Sequence, residues 1–474
     1  MLHSDARGDV AQLGEHRVRI AGVRGSSPLI STTSLGHDAR YDAAVLLTRM
    51  RARDPEEAHR AATPLELLFD LTFVVAVAAV VPELAHAIAD DHPVEAIIGY
   101  LLVFFGIWWA WMNFTWFASA FDCDDALYRV LTMVQMGGVL VLAAGVAPAF
   151  ERGDFATAVA GYVLMRIAMV AQWLRVARSV PEYRTNALRY AIPIAAVQLL
   201  WIARLALPQP LGIVTFVILG IAELLIPVFA DRRNMTPWHP HHIVERYGLF
   251  TIIVLGESVL ATTNAFLVAK TATGLSVELT IIAIAGLVLL FACWWLYFLE
   301  TDEPRLAERR ERAFMWGYGH FFVFAALAAV GAGIEATIEA TAHEVAASSL
   351  LIGYSVAIPL AIFLASRYIV YVRLGGGHLA RHEVIAAELA LVLAIPLLGL
   401  AVSPAWVLAA LAVAAAGLVV FKSLRYGVVS VGAAVDEGEV SRSRQDAPHE
   451  KPQVQDGEGG ATGASEGEVG QAPV

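Results

Sequence analysis

This chain is poor in cysteine, lysine and charge of any kind. Its two cysteines, Cys123 and Cys293, fall at opposite ends of the apolar region and match no disulfide or metal-ligand spacing, so both read as structural. Three lysines stand against thirty arginines in 474 residues, a bias without chemical meaning. Charged residues make up 16% and hydrophobic ones 58%, which leaves too little polar surface for a soluble helical protein of this length. No nucleotide-binding loop or cofactor fingerprint is present, so no cofactor is expected and ATP-driven pumping by this chain alone is disfavoured. The net charge of −11 does not point to nucleic acid. Much of it lies in the tail, where nine acids between Asp436 and Glu468 face only Arg442, Arg444 and Lys451. That segment has almost no large apolar residue, and residues 428–474 are expected to form an acidic, disordered cytoplasmic extension.

What the chain has instead is apolar runs. A bilayer core needs about 20 mostly apolar residues per helix. Twelve such stretches follow one another at 66–88, 95–117, 127–147, 155–178, 187–206, 211–230, 245–268, 278–299, 314–336, 346–370, 381–402 and 404–422. The spacing predicts an all-α polytopic membrane protein, with the lipid bilayer as its partner. Positive residues fix the orientation, because short arginine-bearing loops stay on the cytoplasmic side. The segment 49–60, alternate loops and the segment after the last run carry 21 arginines and lysines; the opposite loops carry only Arg152, Arg204 and Lys270. Both termini are therefore predicted to be cytoplasmic.

An internal repeat underlies the twelve runs. Glu66 and Thr72 precede Glu245 and Thr251 by 179 positions, Trp108-Trp109 precede Trp294-Trp295 by 186, and Gly161-Tyr162, Arg175 and Arg189 precede Gly353-Tyr354, Arg367 and Arg381 by 192. Offsets that grow only by small loop insertions predict two six-helix repeats, residues 61–240 and 241–427. An even number of spans per copy makes them parallel, with a site at their interface near the bilayer midplane. Residues 1–60 are expected to be a disordered cytoplasmic extension. Within them Val10-Ala11-Gln12-Leu13-Gly14 and Gly25-Ser26-Ser27-Pro28 resemble the conceptual translation of a transfer RNA gene, which makes Met50 a candidate start.

Three motifs carry a family resemblance. Thr63-Pro64-Leu65-Glu66-Leu67-Leu68-Phe69-Asp70-Leu71, Trp108-Trp109-Ala110-Trp111, and the run from His242 through Glu245-Arg246-Tyr247-Gly248-Leu249-Phe250 to Leu255-Gly256-Glu257-Ser258 resemble the bacterial low temperature requirement protein A family. The likeness spans roughly residues 60 to 425; Leu68 and Thr72 stand where the family more usually has Phe and Val. It implies a multi-pass protein of the bacterial cytoplasmic (inner) membrane, and it implies no molecular activity.

Chemistry has to come from the few ionisable groups inside the apolar runs, each costly unless paired or wetted. Glu66 and Asp70, four apart, share one helical face, where two carboxylates could share a proton. Glu66 reads equally well as a cap or a solvated end, and for Asp70, a full turn deeper with Phe69 and Phe73 around it, a structural and a functional reading both stand. Glu257 lies about 18 Å along the helix from Glu245, with Gly256 expected to allow close backbone approach and Ser258 and Thr262 to offer hydrogen bonds. Arg166, in the middle of its span, needs a counter-ion from among Asp70, Glu223 and Glu257. Arg246 is expected to pair with Glu245, Glu66 or a lipid headgroup. His320 falls where Gln135 stands in the first repeat, the two polar groups facing across the pseudo-symmetry, and could relay protons. Glu388 completes the set, and Glu335 and Glu339 are expected to reach external water. His239 and His242 are weak metal candidates, since His242-x-x-Glu245 is not the two-histidine protease spacing; a loop closing one helix and opening the next explains them as well. The tryptophans of the second run suit an interfacial belt at the outer members and repeat packing at Trp108 and Trp109.

No catalytic residue is assigned. A secondary transporter for a small solute or ion, proton-coupled through intramembrane carboxylates, fits best. The alternatives are a membrane-embedded lipid-modifying enzyme using the 237–246 segment and a structural or sensory protein without turnover. A homo-oligomer is compatible with either half of this choice.

Overall fold

The computed structural model describes residues 48–445 apart from 58–59, 209–210, 300–302, 343–344 and 376–381, with only the helix course given for 426–445. The transfer-RNA-like words, Arg381 and the tail from 446 onward lie outside the described residues.

Twelve helices are long and apolar enough to cross a membrane, and no strand occurs among the described residues. They are α1 (Pro64–Ala89), α2 (Pro93–Phe121), α3 (Ala126–Ala144), α4 (Ala156–Ser179), α5 (Arg184–Arg204), α6 (Leu211–Ala230), α7 (Pro240–Thr273), α8 (Val277–Phe298), α9 (Ala313–Ala342), α10 (Ser349–Arg373), α11 (His382–Ala394, its span completed by the 3-10 stretch Ile395–Leu400) and α12 (Pro404–Gln445). The described residues from Arg49 onward belong to one compact unit. Large apolar side chains stand exposed along many helices, among them Leu71, Ile167, Leu199, Ile218, Val268 and Val413. That much exposed hydrocarbon is a lipid-facing surface, and the chain is a multi-pass membrane protein.

Local chemistry sets the helix starts. Thr63 forms a capping box with Glu66, and Pro64 occupies the first helical position of α1. Asp125, Ser276 and Ser348 cap α3, α8 and α10 with side-chain oxygens. His239 caps α7 and Pro240 follows it, so α7 begins earlier than the expected 245. α12 also outruns the expected 422: it continues to Gln445, so the first part of the presumed tail is helical.

Several neighbour pairs recur between residues 61–240 and 241–427, although the packing of α8 on α12 has no comparable α2–α6 counterpart. α1 packs on α2 and α3, α3 on α4 and α4 on α5; α7 packs on α8 and α9, α9 on α10 and α10 on α11. Across the halves α1 meets α7 and α9. α9 is the central helix, with 83% of its apolar window buried against 17% for α11. One landmark pair behaves differently in the two halves: Trp108 and Trp109 are buried, whereas Trp294 and Trp295 face outward. Their recurrence is therefore not a recurrence of packing. The Trp108–Trp111 segment is not an interfacial belt either, since Trp111 is also fully enclosed.

Residues before α1 are packed rather than loose. Met50 and Arg60 are buried, and Arg53 N–H donates to the Ala120 carbonyl at 2.9 Å, so the extension expected over 1–60 is ordered in its described last part.

α3 and α4 approach through glycine. A Cβ placed on Gly161 would lie 2.3 Å from the Leu142 nitrogen, and one on Gly138 2.8 Å from the Gly161 carbonyl. Small residues let membrane helices touch backbone to backbone. Gly161→Val is therefore expected to cost about 3 kcal/mol or more by overpacking, read as lost monodisperse protein and a lowered Tm in detergent. An unchanged Tm would show that α3 and α4 can separate freely.

Candidate functional site

The first turns of α1 and α7 build a buried charged network. Glu66 and Asp70, one turn apart on α1, face Arg246 on α7, and all three side chains are essentially without solvent exposure. Arg246 grips Asp70 with two nitrogens: Nε donates to Oδ2 at 2.7 Å and Nη2 donates to Oδ1. This planar fork suits arginine alone among cations. Trp111 Nε1 donates to the same Oδ1 at 2.7 Å, and Arg246 Nη2 also reaches Thr115 Oγ1 at 3.3 Å. Glu66 is shared more widely. Its Oε2 accepts from the Thr63 N–H at 2.7 Å, while Oε1 has Arg246 Nη1 at 3.2 Å, His242 Nε2 at 3.1 Å and Arg60 Nη2 at 3.4 Å. The Nη1 approach is an ion-pair contact without hydrogen-bond alignment, and the His242 Nε2 approach is likewise not aligned for a hydrogen bond.

Arg60 closes the network from the segment before α1. It donates to the carbonyls of Ala118 and Ser119 at the end of α2 and lies 3.8 Å from Asp122. Burial lowers the pKa of Arg60, opposed by Glu66. Burial likewise pushes Asp122 up to about 6, with Glu66 adding to the rise and Arg60 countering it. Glu245 belongs elsewhere: its Oε2 accepts from the Ala62 N–H at 3.0 Å, so Arg246 chooses Glu66 and Asp70 over its own neighbour. Glu66 is accordingly both a helix cap and a buried ion-pair partner, not a solvated end.

A second network lies within the first half. Arg166 on α4 pairs with Glu223 on α6 at 3.0 Å and donates to the Tyr162 hydroxyl. Glu223 also accepts from Trp109 Nε1 on α2 at 3.0 Å and from Gln198 Nε2 on α5 at 2.9 Å. Of the three counter-ions open in the sequence, Glu223 is the one used.

Glu257 stands apart. It is buried near the middle of α7, and its Oε2 has no hydrogen-bond partner among the described residues. Ser258 does not serve it, because its hydroxyl donates to the Val254 carbonyl at 3.0 Å on the same helix. Nor does Gly256 mark a close approach, since a Cβ there would meet nothing within 4 Å. The approach is made by Gly331 on α9, where a Cβ would sit 2.5 Å from Ser258 Oγ. α9 also carries Glu335, whose Oε2 is likewise unpartnered, and Glu339, which lies 3.1 Å from His86 on α1. Two carboxyls with an unpartnered oxygen among the described residues, Glu257 and Glu335, thus lie on α7 and α9, which pack together.

His320 does not face Gln135. Its Nδ1 lies 2.8 Å from the Trp316 carbonyl and its ring packs on Tyr247, Trp316 and Phe324, whereas Gln135 donates to Gln172 at 3.0 Å. Glu388 is held by Lys422 at 3.0 Å. The metal candidates are engaged structurally. His239 contacts the Glu57 carbonyl at 2.7 Å, His241 the Arg60 carbonyl at 3.1 Å and His242 the Glu66 carboxylate. Among the described residues no group of three or more His, Cys, Asp or Glu side chains is arranged to hold a metal.

Beside the charged network opens a narrow cavity lined by α2, α4, α5, α6, the segment after α6 and α9. Trp116, Trp173, Trp238, Tyr190 and Tyr318 form much of its wall, and among the described residues Asp231 is the one charged residue on it. Trp116 links the cavity to the network, donating to the Tyr247 hydroxyl at 3.0 Å one residue beyond Arg246. Asp231 accepts from the Tyr190 and Thr236 hydroxyls, each at 3.1 Å, and from Asn186 Nδ2 at 3.4 Å. Burial pushes its pKa up to about 6 against these neutral donors. Sequence reasoning passed over Asp231 because it follows the last residue of an apolar run, where an acid is ordinarily solvated.

Comparison with known proteins now bears on the three motifs that feed these networks. The profile of the bacterial low temperature requirement A protein (LtrA) matches residues 61–420. The chain belongs to that family. The LtrA match covers all twelve helices in whole or part, and Glu66, Asp70, Arg246 and Glu257 all fall within it. A protein of Rhizobium meliloti (strain 1021) described as uncharacterized protein RA0937 is 25% identical over 274 residues, which cover 54% of this LtrA chain and 64% of that protein. The match thus spans less than two thirds of the relative's length. No solved structure matches.

Proposed function

We propose that this LtrA-family chain is a secondary transporter of the bacterial cytoplasmic membrane, moving a small solute with proton coupling through Glu257. The observation that carries the reading is the Asp70–Arg246–Glu66 network. It joins the first helix of one half to the first helix of the other and borders a cavity walled by helices of both. Parallel halves with a site between them are a common transporter plan, and the shared neighbour pattern of α1–α5 and α7–α11 supports such a plan here. The positive-residue bias supports cytoplasmic termini, which would put the cavity and the network toward the cytoplasm.

A carboxyl that takes up and releases a proton during a cycle has to be free of permanent cations. Glu257 and Glu335 meet that requirement, whereas Asp70 and Glu223 are held by arginines that never deprotonate. The lipid-enzyme reading is less supported, because the histidines of the 237–246 segment hold backbone carbonyls and Glu66 rather than an open site.

The test is proton movement in proteoliposomes containing a pH dye, under an imposed gradient, challenged with pooled amines, amino acids, sugars and carboxylates. At least one pool is expected to accelerate proton entry, and Glu257→Gln is expected to reduce that acceleration about tenfold or more while leaving Tm within a few degrees. Folded protein that responds to no pool would overturn transport in favour of a structural role. A full response in Glu257→Gln would remove Glu257 from the coupling path.

A further inference from the structure

We propose that the cavity beside Asp231 binds a small organic monocation of the quaternary or tertiary ammonium type, with the Asp231 carboxylate as its counter-charge and the indole and phenol rings as its walls. The proposal deepens the transporter reading by naming a cargo class, and it rests on that reading only for the word cargo; binding itself stands alone.

Three observations converge. The first is charge. Among the described residues Asp231 is the one charged residue on the cavity wall, with no lysine, arginine or histidine beside it there. Asp70, Glu66 and Glu223 each have an arginine partner, but among the described residues Asp231 is met by Tyr190, Thr236 and Asn186, all neutral. A carboxylate in an apolar recess without a cation gains most from a ligand that brings one.

The second is the wall. Trp173 and Tyr190 stack in parallel, ring centroids 4.1 Å apart and planes 1° from parallel, while Trp116 and Trp238 meet edge to face at 5.0 Å. Indole faces carry negative quadrupole density and attract poorly hydrated cations, which is how aromatic cages recognise methylated ammonium groups. Trp238 already accepts one such contact, since the Arg310 guanidinium carbon lies 4.6 Å from its ring centroid.

The third is what the wall lacks. An anion would meet Asp231 and find no cationic side chain. An inorganic cation needs several oxygen ligands; beside the single carboxylate the wall offers only neutral oxygens, and the Tyr190 and Thr236 hydroxyls already donate to Asp231 while the Tyr318 hydroxyl donates to the Leu224 carbonyl. A sugar would leave most of its hydroxyls against carbon. The cation therefore has to carry its own apolar shell.

The test uses the full chain in detergent. Tryptophan fluorescence and thermal shift are titrated with tetramethylammonium, tetraethylammonium and choline chlorides. Sodium chloride controls for ionic strength, and 3,3-dimethylbutan-1-ol serves as the uncharged isostere of choline. Saturable quenching and a raised Tm are expected with at least one ammonium ion, with neither sodium nor the neutral alcohol reproducing them. Asp231→Asn is expected to weaken that binding about tenfold or more. The charged and neutral isosteres are compared on the unaltered protein, so the proposal can fail even if Asp231→Asn does not fold. Equal effects from choline and the neutral alcohol, unchanged affinity in folded Asp231→Asn, or no saturable signal from any of the three ammonium ions would each overturn it. Binding without flux in the proteoliposome assay would sink the transporter reading and leave this site standing. Flux of another solute without ammonium binding would do the reverse.

Discussion

Replacing Arg246 by leucine is expected to lower the unfolding free energy by about 3–5 kcal/mol, the scale at which breaking a buried ion pair exposes the partner's uncompensated charge. Arg246 is fully enclosed and is the cation that reaches both Asp70 and Glu66. Without it Asp70 retains Trp111 as a donor and Glu66 retains Arg60 and His242. Two carboxylates one turn apart would then repel across a space that water does not screen, and at least one would have to take up a proton. Arg246→Lys should fall between the two proteins, because an ammonium keeps the charge but cannot span both oxygens of Asp70 in one plane. The double variant Asp70→Leu with Arg246→Leu should recover a large part of the loss, since a buried pair replaced by hydrocarbon is often neutral. Unfolding followed by tryptophan fluorescence in mixed detergent measures all four proteins. A single-variant loss below about 0.5 kcal/mol would mean that the α1–α7 link is not an ion pair in solution. If folded Arg246→Leu vesicles also leak protons without solute, the link is a gate as well as a clasp.

The helices were legible because lipid imposes a length and a composition that sequence displays directly. The starts of α1, α3 and α7 were legible to a lesser degree, and α7 began at Pro240 rather than 245 because His239 serves as its cap. Which charged groups lie inside was also readable: Asp70, Arg166, Glu223, Arg246 and Glu257 are all buried. Who pairs with whom was not. Arg246 and Asp70 are 176 positions apart, and helical periodicity relates residues only within one helix. Arg60 shows the same limit from another direction. In sequence it is one of many arginines in a polar segment, and only the fold of residues 48–60 under the end of α2 turns its side chain inward onto Glu66. Glycine was read at the wrong place for a similar reason. Gly256 neighbours the interesting Glu257, but the close contact is set by Gly331 on a different helix. The cavity was the least visible feature, because its wall collects residues from five helices far apart in sequence and Asp231 from beyond the end of one.

Glu223→Leu is expected to be more damaging than Arg166→Leu, although the two residues form one pair at 3.0 Å. The asymmetry comes from which partner can discard its charge. When Arg166 is removed, Glu223 keeps Trp109 and Gln198 as donors and can take up a proton, becoming a neutral acid in an already donor-rich pocket. When Glu223 is removed, Arg166 cannot become neutral, because a guanidinium does not deprotonate in proteins. It is left with the Tyr162 hydroxyl, and its carbon lies 4.8 Å from the Tyr162 ring centroid. The indole of Trp109 and the amide of Gln198 lose their acceptor at the same time. Glu223→Leu should therefore cost about 3–5 kcal/mol, and Arg166→Leu about 1–3 kcal/mol, closer to the cost of unsatisfied neutral groups. Glu223→Gln should lie nearer the smaller figure, since the amide oxygen still accepts from Trp109 or Gln198. The same unfolding assay orders the three proteins. Equal losses from Glu223→Leu and Arg166→Leu would show that Glu223 stays ionised without its arginine, and so that water enters the α2–α4–α5–α6 contact. A larger loss from Arg166→Leu would mean that Arg166 supports the first half through more than its charge, by packing its stem between α4 and α6.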